Sequence, residues 1–254
     1  MHIDINLPAT VDVEARLDAI ARRYRDAGGV GISVLNMVGG SAENLLDRLP
    51  GSIRGNLEDA TVKALHHAMR AAHTSRGLVP DQKNWLNQAV SAAMGAAGGA
   101  GGLPTALAEL PVTTTLLLRV IQGVAVEHGF DADAENVQFD CVQVFAAAGP
   151  LSSDDGADLG FLSARIALSG KAMHAVIAKI APKLAVVLGQ KLAAQAVPIL
   201  GAAAGAATNY AYTSYYNDMA HVHFGLRKLA IDADVSHAEL TERLRIKMGH
   251  TPVS

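Results

Sequence analysis

Between Asp158 and Asp218 the chain has no aspartate or glutamate. The same interval holds Arg165, Lys171, Lys179, Lys183 and Lys191, a local charge of +5. The rest of the 254-residue chain therefore carries −8 to reach the net −3. An acidic overall balance argues against nucleic-acid binding, while the acid-free interval points to a face set against something anionic. A second cysteine is also missing. Cys141 stands alone, which excludes an intramolecular disulfide and fits a reducing compartment. Aromatic residues are only 4% although half the chain is hydrophobic. The surplus is mainly alanine and glycine, a composition that suits closely crossing helices rather than a β-sandwich. No apolar run reaches the ~18 residues of an ordinary spanning helix. Residues 192–207 come nearest, and Gln195 and Pro198 interrupt them. Met1-His2-Ile3-Asp4 carries no basic-then-apolar leader pattern, so the expected location is cytoplasmic.

What is present is helical periodicity. Residues 198–230 read as one long helix with proline at its first position. Gly201, Gly205, Thr208, Tyr212, Tyr215, Met219, Val222, Leu226 and Leu229 recur along it at alternating four- and three-residue steps. That spacing is a packing seam, small at one end and bulky at the other. An amphipathic helix is expected over 12–26, a second over 32–49, and a third over 52–72 with Ser52 as its cap. The glycines at 95–102 predict a flexible corner, followed by a helix over 104–128 that Pro111 should kink. A further helix is expected over 133–147, then a mobile loop over 149–158 and two consecutive helices over 159–180 and 182–197. The closing helix, 236–249, has a capping box in Ser236-His237-Ala238-Glu239, with Val235 and Leu240 as the flanking apolar staple. No alternation persists long enough to require a strand. The expected fold is all-α, a compact array of about ten helices in a single domain over 1–254 with a tail at 1–10.

Charges inside apolar helices are the sharpest candidates for function. Glu109 and Arg119 are the only charges from 85 to 126, and a buried charge is costly unless partnered. Straight-helix geometry sets them about 80° apart, so pairing needs the Pro111 kink or partners from other helices. Asn209, Tyr216 and His223 fall seven residues apart and form a polar rail beside the seam. Such a rail either lines a small-ligand pocket or closes an interhelical network. Tyr212 and Tyr215 belong to a cluster holding four of the five tyrosines, suited to a membrane-water boundary or a core edge. His66 and His73, like His221 and His223, lack the spacing and adjacent glutamate of a zinc helix, and no metal or cofactor is expected. No nucleophile-elbow pattern is present.

The chain resembles the EcsC family of bacterial proteins. The likeness is carried by Pro50 leading into 52–72, by 97–110 (AGGAGGLPTALAEL), and by Thr113-Thr-Thr-Leu-Leu-Leu-Arg-Val-Ile with its continuation at 125–131. It ends with Val197-Pro-Ile-Leu-Gly-Ala-Ala-Ala-Gly-Ala-Ala-Thr-Asn, running on to Ala220, Phe224 and Leu229. The resemblance implies a helical bacterial protein, named from a neighbourhood of transporter components, and it supplies no catalytic residue.

These readings favour a non-enzymatic accessory protein, peripheral to the inner membrane and linked to transport or envelope homeostasis. Its partners would be anionic lipid and transporter or envelope components, and its membrane-facing residues Arg165, Lys171, Lys179, Lys183, Lys191, Tyr212 and Tyr215. The alternatives are an enzyme, for instance a hydrolase, with a polar pocket around Glu109 and Asn209, and a carrier enclosing a lipid or other hydrophobic ligand.

Overall fold

Asp12 starts the first helix through its side chain, whose Oδ1 accepts the Ala15 N–H at 2.9 Å and so satisfies one of the donors a helix start leaves unpaired. Helix α1 then runs Val13–Asp26, burying Leu17, Ile20, Ala21 and Tyr24. The structure is a computed structural model that describes residues 11–27, 45–76, 90–94, 102–147, 170–195 and 201–249, with a few single positions besides; side chains at 72–76, 102–107, 170–172, 195, 201 and 204 are not described. After a 3-10 turn at Leu46–Arg48 come α2 (Gly51–Arg54), α3 (Leu57–Arg76), α4 (Gly102–Glu127) and α5 (Glu135–Val144). The long helices α6 (Gly170–Gln195) and α7 (Gly201–Asp232) follow, and α8 (His237–Lys247) closes the chain. No strand occurs among the described residues.

Helix α7 is the hub. It packs against α1, α4, α5, α6 and α8, while α3 pairs with α4 and α6. The predicted seam is the buried one: Thr208, Tyr212, Tyr215, Met219, Val222, Leu226 and Leu229 all lie in the core. Helix α8 begins as its capping box requires, with the Glu239 N–H donating to Ser236 Oγ at 3.1 Å and Leu240 buried. It is clasped to α1 by Lys247, 2.6 Å from Asp18 and 2.7 Å from Glu14. Helix α4 stops at Gly129, whose φ of +83° lets Phe130 N–H reach back to the Ala125 carbonyl at 3.0 Å. That is the usual paired-carbonyl helix stop, and a left-handed residue is what it needs.

Several expectations are corrected. The two helices expected over 159–180 and 182–197 overlap a single helix, α6, which passes through Pro182. Proline there removes one bond, to the Ala178 carbonyl, and both residues lie on the exposed face, where water can take that carbonyl. Ser52 lies inside the short helix α2 and makes no cap, because Gly55 and Asn56 interrupt the chain before α3. Helix α5 is shorter than the 133–147 expected. One stretch, Ala108–Glu127 of α4, is long and apolar enough to cross a membrane when hydropathy is averaged rather than required to be uninterrupted. In this fold 61% of it is buried inside the protein, as in a core helix. Most of the glycine corner at 95–102, of the loop at 149–158 and of the 32–49 helix lies outside the described residues.

Candidate functional sites: a buried polar centre and a basic face

Glu109 sits two residues before Pro111 on α4, and its side chain is 8% exposed. Its Oε1 accepts a hydrogen bond from Asn209 Nδ2 of α7 at 2.7 Å and one from Thr113 Oγ1, one turn along its own helix, at 2.9 Å. Lys191 of α6, wholly buried, completes the centre with Nζ 3.6 Å from the same oxygen. Three helices therefore meet at one carboxylate oxygen. Asn209 Nδ2 also donates to the Ser91 carbonyl at 2.9 Å. Ser91 is buried too, with Thr213 Oγ1 2.6 Å from its Oγ. Both contacts of Nδ2 are acceptors, so the amide orientation is fixed chemically: a carbonyl oxygen in that place would face two other oxygens. Burial pulls the Lys191 ammonium down to about 8, and the neighbouring Glu109 carboxylate opposes part of that shift.

The predicted site residues fall into different places. Glu109 and Asn209 are brought together. Arg119 is not, since ten residues along α4 carry it about 15 Å from Glu109; the ion-pair partner of Glu109 is instead Lys191, assigned from sequence to the membrane-facing set. The rail does not form one site either. Tyr216 packs edge-on to Phe145, ring centroids 5.2 Å apart, and His223 lies 3.6 Å from Asp140, which Arg227 also grips. Tyr212 and Tyr215 are buried, and Tyr212 donates to the Val187 carbonyl at 2.8 Å. These two tyrosines and Lys191 are thus core residues and not a surface set.

Lys179 and Lys183 do lie outside, on an exposed stripe of α6 that includes His174, Ala175, Ala178, Pro182 and Val186. Arg165 and the Lys171 side chain lie outside the described residues. Beside that stripe runs α3, whose exposed Lys63, His67 and Arg70 recur at helical spacing. The two helices touch at His66 and His174, ring centroids 5.0 Å apart. Burial lowers the His66 pKa, with His174 and Arg70 adding to the effect. From 60 to 76, as from 170 to 195, there is no acidic residue. Sequence reasoning missed that α3 continues the basic face, although its own acid-free run was there to be seen.

A third polar group joins α1, α4 and α7. His128 Nε2 lies 3.1 Å from His221 Nδ1, and His221 Nε2 lies 3.7 Å from Glu127. Burial, with Arg23 nearby, lowers His128 and pulls His221 to about 3, so both imidazoles are neutral at pH 7 and one donates to the other. Among the described residues no three histidine, cysteine or acidic side chains are grouped to hold a metal ion.

An all-α protein centred on one long helix, with a polar knot where three helices cross, is the class this architecture defines. The model of the EcsC protein family matches residues 54–229, from α2 to the last turn of α7, and the chain belongs to that family. No curated protein and no solved structure is similar enough to match it.

Proposed function

We propose that this EcsC protein is a peripheral membrane protein that docks on anionic lipid through the paired faces of α3 and α6. One observation carries the reading: two adjacent helices, acid-free over 60–76 and 170–195, present Lys63, Arg70, Lys179 and Lys183 toward solvent, with Glu58 and Asp59 confined to the first turn of α3. A lysine near an anionic leaflet contributes ~1 kcal/mol, and exposed Val186 with the alanines beside it adds apolar contact. The physiological setting is an accessory role in transport or envelope homeostasis, a cytoplasmic protein held at the inner membrane. No reaction is needed for this role.

Flotation with phosphatidylglycerol-containing and with pure phosphatidylcholine vesicles tests it. Binding is expected only to the anionic vesicles, weakening as salt rises through the Debye regime. The double variant Lys63→Gln, Lys179→Gln should lose about 30-fold in vesicle affinity, two lysine contributions of that size. Equal binding to both vesicle types, or to neither, sinks the proposal.

A further inference from the structure

The polar centre has an asymmetry that packing alone leaves unexplained. Glu109 Oε1 is crowded by Asn209, Thr113 and Lys191, whereas Glu109 Oε2 is buried with no hydrogen-bond partner among the described residues. Asn209 shows the same division. Both hydrogens of its amide are used, one on Ser91 and one on Glu109, and its Oδ1 is buried without a partner. A buried acceptor left unmade costs ~1–3 kcal/mol, more when charged, and two of them sit on side chains hydrogen-bonded to each other.

Both orphaned atoms are acceptors, and this selects the chemistry. An anion would meet a carboxylate and a carbonyl oxygen and be repelled. A developing oxyanion would likewise find no donor in either atom. The complement is a hydrogen-bond donor. A cationic donor would add a second positive charge beside Lys191, which already balances Glu109 across 3.6 Å, and unbalanced buried charge is strongly unfavourable. A hydroxyl brings the donor without the charge.

We infer that the Glu109–Lys191–Asn209 centre binds a neutral polyol, with one hydroxyl donating to Glu109 Oε2 and another to Asn209 Oδ1. The same hydroxyls are carried by a free polyol and by the glycerol headgroup of a lipid. The site stands apart from the docking face, because neither Lys63 nor Lys179 takes part in it.

Saturation-transfer NMR on the full chain, with glycerol, myo-inositol and ethanolamine as separate probes, tests the assignment. Transfer is expected to a polyol and not to ethanolamine. Glu109→Gln and Asn209→Ala should each weaken polyol binding about tenfold, the loss of one good hydrogen bond. The Lys63→Gln, Lys179→Gln variant should bind the free polyol unchanged, which keeps this test separate from the vesicle test. A short-chain phosphatidylglycerol that displaces the polyol identifies a lipid headgroup as the source; one that does not assigns the site to a free polyol. The wild-type arms need no variant to fold. No transfer to either polyol, transfer to ethanolamine alone, unchanged binding by both centre variants, or a polyol-soaked crystal showing only water on both oxygens would each overturn the inference.

Discussion

Lys179 and Lys191 stand on the same helix, in the same acid-free stretch, twelve residues apart, and end in opposite environments. Lys179 faces solvent beside His174 and Lys183, while Lys191 is wholly buried with its ammonium turned to Glu109. The difference is helical phase. At 100° per residue the two are about 120° apart around α6, and Lys191 falls in line with Leu184, Val187 and Leu188 on the inner face. A count of charges along the chain treats both as one basic segment. In the fold one is a surface charge worth little to stability, and the other is half of a buried pair.

The comparison breaks most visibly by removing each lysine in turn. Lys191→Met leaves Glu109 buried and uncompensated and should cost ~3–5 kcal/mol of folding stability, read from urea unfolding. Adding Glu109→Gln to Lys191→Met should restore most of that loss, because a neutral pair has no stranded charge. If the single variant is as stable as the wild type, Lys191 is not half of a buried pair.

Proton linkage sharpens it further. The folded pKa of Lys191, about 8, lies below its ordinary 10.5, so between those values the unfolded chain holds more protons than the folded one. Stability from this group therefore rises as pH climbs from 8 to 10.5, by about 3 kcal/mol in full, and below pH 8 the cost of the buried ammonium is fully present. Difference measurements against Lys191→Met isolate the slope from other lysines and tyrosines; parallel profiles would contradict the burial. A smaller acid-side effect of the same sign comes from His221, whose folded pKa is held far below the usual imidazole value. Stability is lost as pH falls below 6.5 toward 3, and His221→Asn should flatten that loss, discounted because the ring is partly solvated.

A third test concerns how tightly the inner face of α6 is seated. A Cβ built on Gly189 would meet Leu46 Cδ2 at 2.5 Å and Leu57 Cδ1 at 2.9 Å. Overpacking of that kind costs ~1–3 kcal/mol, and alanine returns ~1 kcal/mol of helix propensity. Because both atoms are the ends of flexible leucines, Gly189→Ala should lose only about 1 kcal/mol. A stabilised variant would mean that the 3-10 turn at Leu46–Arg48 stands off from α6.

What could be read from the sequence follows from how local each feature is. The α8 cap and the seam of α7 depend on residues within a few positions of each other, and both form as their patterns require. Glu109 announced itself as a charge in an apolar helix, yet its partners Lys191 and Asn209 come from 82 and 100 positions away, and no spacing rule reaches so far. Ser91 and Thr213 carried no signal, since serine and threonine are ordinary in small-residue helices. Pro182 misled because proline is read as a break, whereas an exposed carbonyl lets the helix continue. The tyrosines were ambiguous for a physical reason: an amphipathic ring fits a membrane edge and a core edge equally well, and only the Val187 carbonyl under Tyr212 decides for the core.

The smallest expected effect falls on the other half of the comparison. Lys179→Gln removes a solvated charge from a face that is acid-free over 60–76 and 170–195, so among the described residues it breaks no ion pair, and it opens no cavity. Its folding stability should stay within ~0.5 kcal/mol of the wild type, while its affinity for anionic vesicles drops about fivefold, one surface lysine's share. The opposite pattern, lost stability with vesicle binding intact, would place Lys179 in the same structural role as Lys191. The contrast between the two lysines then could not be one of helical phase, and the basic face would have to be reassigned to packing.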